Sequence, residues 1–84
     1  SNNMLSNNEN LEKSHMNLIV ASYRFRLIQL CKGFLRQEYI TEGQMEQLVE
    51  FYKLYKGLGG NGQAETYYNK AIALPLKTDD EVLT

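Results

Sequence analysis

The sequence predicts an all-α protein: a small three-helix bundle in which a long first helix packs antiparallel against a second, and a shorter third helix closes the open side. Three observations carry that expectation. They are an unbroken apolar period across residues 11–35, a helix-start signal at Thr41, and the run Leu58-Gly59-Gly60-Asn61-Gly62 with a further apolar period beyond it.

Residues 1–10 are mostly Ser and Asn and lack an apolar period, so they are expected to be disordered or frayed. Ser14-His15-Met16 resembles a cloning junction, which would make the preceding residues tag-like; the alternative is a genuine upstream helix cut from a longer protein. The structured domain is expected over residues 11–76. From Leu11 to Leu35 there is no Pro and one Gly, Gly33, while Val20, Tyr23, Leu27, Leu30, Cys31 and Phe34 recur at steps of three and four. Roughly 25 helical residues reach about 38 Å, more than a second helix of ordinary length covers, so the N-terminal part is expected to overhang. Leu11, Leu18 and Phe25 stand seven apart, as in a coiled coil, but His15 and Ser22 dilute the seam.

The second helix starts at Ile40-Thr41-Glu42-Gly43-Gln44-Met45: Thr41 caps, Gln44 completes a capping box, and Ile40 staples onto Met45. Met45, Leu48, Val49, Tyr52 and Tyr55 form its apolar stripe, and Phe51, Leu54 and Leu58 widen it, which predicts cover on two sides. Gly59, Gly60, Asn61 and Gly62 form the structural turn, because glycine accepts positive φ at little cost; Gly60→Val is expected to destabilise through that requirement. Ala64, Tyr67, Tyr68, Ala71 and Ile72 mark the third helix, with Asn61 as its N-cap and Pro75 as its stop. Residues 77–84 are an acidic tail, expected to be loosely held.

Eighty-four residues make one domain with a small core, and a single cysteine provides no internal bridge. Burial against a second copy or a partner is therefore expected, with a homo-oligomer favoured. The net charge of −1 removes the signature of a strongly basic nucleic-acid binder. Cys31, between Leu30 and Phe34, reads as an inert core thiol and points to a reducing compartment. No apolar run is long enough to span a bilayer, so the chain is expected to be soluble; with the reducing compartment read from Cys31, the expected location is cytoplasmic.

Gly57-Leu58-Gly59-Gly60-Asn61-Gly62 satisfies the letters of the dinucleotide fingerprint, but that motif must follow a strand, and here a helix pattern precedes it. Backbone N–H groups at the start of the third helix offer an anion site, against which stands a plain helix cap. His15 has no partner at ligand spacing, so neither a metal nor a cofactor is implied, and no catalytic set emerges. The chain is read as a non-enzyme.

Two surfaces remain. Tyr23, Phe25, Phe51, Tyr55 and Tyr67 are candidate interaction residues, set against the plainer reading that tyrosines at helical spacing belong to the core. Arg24, Arg26, Lys32 and Arg36 are candidate phosphate contacts, set against a solvated face with internal ion pairs; Arg24 and Arg26 lie roughly 200° apart around the helix and cannot share one flat site.

The stretches Tyr23-Arg24-Phe25-Arg26-Leu27-Ile28, Tyr39-Ile40-Thr41, Tyr52-Lys53-Leu54-Tyr55-Lys56-Gly57-Leu58-Gly59-Gly60-Asn61-Gly62 and Leu74-Pro75 together resemble a family of small phage and prophage proteins of Gram-positive bacteria. The resemblance covers residues 22–76. It implies a phage protein working in a bacterial host cell, whose longer relatives carry a membrane segment and a short coiled coil before such a module; this sequence shows no membrane segment. It implies no activity and carries over no functional residues. Residues and resemblance together suggest a non-enzymatic interaction module that dimerises and serves as adaptor or inhibitor of a host or phage protein. The alternative is a nucleic-acid-binding module using the basic first-helix face.

Overall fold

The computed structural model describes residues 2–60 and 62–83, with side chains from Asn7 to Val82. Four helices and two very short strands follow in the order α1 (Asn2–Gln37), β1 (Ile40–Thr41), α2 (Glu42–Gly57), α3 (Gln63–Ile72), β2 (Leu76–Lys77) and α4 (Asp79–Leu83). The all-α class holds. Residues 2–10, expected to be disordered, instead continue α1: no Pro or Gly between Asn2 and Lys32 breaks the helix, and the exposed polar side chains of residues 7–10 need no apolar cover.

α1 is a rod of 36 residues, about 54 Å long at 1.5 Å per residue. It sets the longest extent of the molecule, 64 Å against 20 and 15 Å across. Its N-terminal half is bare: from Asn7 to Ile19 every side chain is exposed, Val20 is the first to be partly covered, and Leu27 the first to be fully buried. The overhang is therefore longer than the apolar period implies.

Glu38 ends α1 in the left-handed region, φ 69°, with its N–H donating to the Phe34 carbonyl at 3.0 Å. The corner is tied by the Gln37 side-chain amide, which donates to the Tyr39 carbonyl at 2.9 Å and to Gln44 Oε1 at 2.8 Å. α2 then opens with the capping box: Gln44 N–H donates to Thr41 Oγ1 at 3.1 Å and Thr41 N–H to Gln44 Oε1 at 3.0 Å. Thr41 is 6% exposed, so its cap has no solvent substitute. Thr41→Ala is expected to cost about 1 to 2 kcal/mol, read as a lower urea midpoint with an unchanged slope.

α2 returns antiparallel to α1, its C-terminal end held by an edge-on contact of Phe51 with Tyr23, centroids 5.8 Å apart, and by Tyr55 against Arg24. α1 nevertheless packs more closely against α3 than against α2. Ala64 and Ala71 explain this: seven residues apart on one stripe of α3, both fully buried, they lack the bulk that would hold the helices apart. The core they enter is Leu27, Cys31 and Phe34 of α1, Ile40 of β1, and Leu48 and Tyr55 of α2. Tyr52 of α2 and Tyr68 of α3 stack with centroids 3.8 Å apart and planes within 5°.

The C-terminal residues are more ordered than a loose tail. Leu76 pairs with Ile40 and Lys77 with Thr41 in a parallel ladder, and Ile40 N–H donates to the Pro75 carbonyl at 2.9 Å. Thr78 then caps α4: its hydroxyl accepts from Glu81 N–H at 3.2 Å while Glu81 Oε1 accepts from Thr78 N–H at 3.2 Å. The expected boundary between residues 76 and 77 cuts through β2 and marks no break in the fold.

Candidate functional site

Where α1 projects beyond the body, α2 runs beside it and leaves an apolar groove of about 410 Å³ lined by Ile19, Tyr23, Phe51, Leu54 and Leu58. The groove follows from two periods out of register. The core stripe of α1 continues upstream through Tyr23 and Ile19, whereas α2 turns only part of its wide stripe inward and leaves Leu54 64% exposed. Leu11 and Leu18, 66% and 67% exposed, extend apolar surface along the overhang. Glu46, Gln47 and Glu50 border the outer face of α2 next to Phe51 and Leu54.

Among the candidate interaction residues, Tyr23 and Phe51 meet edge-on and together line the groove, and Phe25 is 65% exposed on another side of α1. Tyr55 must be withdrawn: it is 1% exposed, and its hydroxyl accepts from Arg24 Nε at 2.8 Å. Tyr67 lies away from the groove on α3, with the ammonium groups of Lys32 and Lys70 at 5.3 and 5.8 Å from its ring centroid. Ile19, Leu54 and Leu58 complete the groove without being among the candidates; the excess width of the α2 stripe was the signal for the two leucines.

The basic candidates do not converge. Arg24 is half-buried on Tyr55, Arg26 lies 5.6 Å from the Tyr23 centroid at the groove rim, and Lys32 stands over Tyr67. Arg36 is exposed on the same helical face as Lys32, four residues on.

The glycine run ends α2 in a Schellman arrangement: Gly59 N–H donates to the Lys56 carbonyl and Gly60 N–H to the Tyr55 carbonyl, both at 3.0 Å. Positive φ falls on Gly59 and Gly62, both 88°, and not on Gly60, which is needed for another reason: a Cβ there would overlap the Tyr55 ring. Gly62 occupies the N-cap position of α3 and supplies no side-chain acceptor; Asn61, expected as that cap, lies outside the described residues.

Cys31 is fully buried, and burial pushes its thiol up to about 11 from an ordinary 9.0. The sign of the pH dependence follows. Below pH 9 the thiol is neutral folded or unfolded; between about 9 and 11 only the unfolded chain loses the proton, so stability falls as pH rises through that window. Thiol-directed alkylation of the native protein at pH 8 is expected to be negligible and to become complete in denaturant. Labelling of the native form at the denatured rate would contradict the burial.

Among the described residues no three His, Cys, Asp or Glu side chains group as a metal site, and no helix is long and apolar enough to cross a membrane. Compared with known proteins, the chain matches no family model, no curated protein and no solved structure.

Proposed function

We propose that this chain is a phage-encoded, non-enzymatic helical interaction module, a three-helix body closed through the glycine turn, acting as a dimerising adaptor or inhibitor of a host or phage protein in the bacterial cytoplasm. One observation carries the reading: an open apolar groove adjoins a helix half whose described side chains, Asn7 to Ile19, are all exposed. A groove between two antiparallel helices accepts a third amphipathic helix, and the exposed Leu54 together with the Tyr23–Phe51 pair offers the apolar and aromatic anchors on which such contacts depend. The test is retention of binding partners on immobilised wild-type protein against Leu54→Asp. Partners lost with the variant support the module; identical retention by both proteins removes the groove from the function.

A second reading has its own observation. Lys32 and Lys70 flank the Tyr67 ring, and Arg36 follows Lys32 on one face of α1, a basic and aromatic cluster suited to phosphates and a stacked base. This nucleic-acid module would shift DNA at about 50 mM salt and lose affinity steeply by about 200 mM. No shift at the lower salt ends that reading.

A further inference from the structure

The groove and the overhang share one deficit. By size scaling a compact chain of 9.7 kDa exposes about 5,100 Å². This chain exposes 6213 Å², an excess of about 1,100 Å² over that scaling. The exposed residues Asn7 to Ile19 of α1 and Leu54 of α2 are among its sources, and the excess is comparable to the roughly 800 Å² that each partner contributes to a stable interface of ordinary size.

The groove needs an amphipathic helix lying along α2. The overhang carries an apolar face only in its second half, through the exposed Leu11, Leu18 and Ile19; as a rod, residues 2–19 run about 27 Å, against about 24 Å for the 16 residues of α2. It cannot reach its own groove, because it is continuous with α1 and has neither Pro nor Gly between Asn2 and Lys32 at which to fold back. A second copy meets no such restriction.

Resting on the interaction-module reading, we propose that the groove is filled by the free end of α1 from a second copy of this chain, in a reciprocal antiparallel exchange about a two-fold axis near Ile19. One operation then covers both grooves and both overhangs, as an isologous interface requires. The register follows from spacing. Leu11 of one copy lies eight residues, about 12 Å, before the axis and so falls level with Leu27 of the other. Since Tyr23 is level with Phe51 and α2 runs the opposite way, the α2 position beside Leu27 is close to Gln47. Leu11 thus enters the depression bordered by Glu46, Gln47 and Phe51. Within one chain Leu11 and Gln47 are about 24 Å apart along the rod, too far for any intramolecular disulfide.

The test combines mass in solution with cross-linking. At about 100 µM, light scattering is expected to give twice 9.7 kDa for the wild type. Leu54→Asp is expected to weaken association by roughly 100-fold or more with unchanged helical circular dichroism. Oxidised Leu11→Cys/Gln47→Cys is expected to run as a covalent dimer, while each single variant stays unlinked. Efficient linking of Leu11→Cys to itself would mean a parallel pair and overturn the exchange, leaving the interaction module in place. A wild-type monomer at that concentration also overturns it; Leu54-dependent retention of a different protein then preserves the module with a foreign occupant, and absence of such retention removes both.

Discussion

Gly60→Ala is expected to cost about 3 kcal/mol or more, lowering the melting temperature by roughly 15 °C, although alanine adds only one carbon. Its Cβ would occupy the volume of the Tyr55 ring, and that ring has no room to retreat: it is 1% exposed and anchored through its hydroxyl to Arg24. Two other glycines serve as controls. Gly59→Ala meets no neighbour but adopts φ 88°, so strain of about 1 kcal/mol is expected. Gly57→Ala, within α2 and with nothing near its Cβ, is expected to be neutral or to stabilise by up to about 1 kcal/mol. The order of effects, Gly60 over Gly59 over Gly57, separates steric collision from backbone strain, and melting temperatures ranking Gly59 above Gly60 would show that the Tyr55 contact is soft. Coupling gives a sharper check. In a Tyr55→Ala background the Gly60 substitution loses its obstacle, so its cost is expected to fall by at least about 1 kcal/mol.

Ala71→Leu is expected to be the next most damaging change, at about 2 to 3 kcal/mol, and Ala64→Leu to behave alike. Both alanines are fully buried where α3 approaches α1, and the three carbons each leucine adds must displace core side chains such as Leu27, Cys31 or Phe34 or push the helices apart. The Tyr52–Tyr68 stack fixes α3 to α2 on another side, so α3 cannot yield without breaking it. Urea melts followed by tyrosine fluorescence report both events. Wild-type stability in Ala71→Leu would mean that the seam between α1 and α3 has slack.

Much of this architecture is legible from local chemistry. The capping box at Thr41 and Gln44 is a reciprocal pair three residues apart, and the structure reproduces both hydrogen bonds. The helical stripes through Leu27, Cys31 and Phe34 and through Leu48 and Tyr55 are likewise periodic, and those residues are the core. What escaped was non-local or lacked a period. Two-residue strands contain no alternation, and Ile40 and Leu76 lie 36 positions apart, so the ladder left no mark in either segment. The helicity of residues 2–10 rests on continuity with α1 and not on an apolar face. Gly60 was read through backbone conformation, but its requirement comes from a ring five residues upstream. For the groove, the surplus width of the α2 stripe signalled a second cover, yet only the position of α3 decides that Leu54 is the side left open. Tyr55 sat both in the α2 stripe and among the interaction candidates, and the polar partner that keeps it inside, Arg24, lies 31 residues away.

The pairing of Ile40 with Leu76 also constrains how the chain matures as it is synthesised. Helices α1 to α3 can condense as they emerge, yet the corner at residues 38–41 stays unlatched until Pro75 and Lys77 have left the ribosome, because the acceptor for the Ile40 amide is made only after all three helices. A nascent chain stalled before Leu76 would display that edge to any neighbour on the same message.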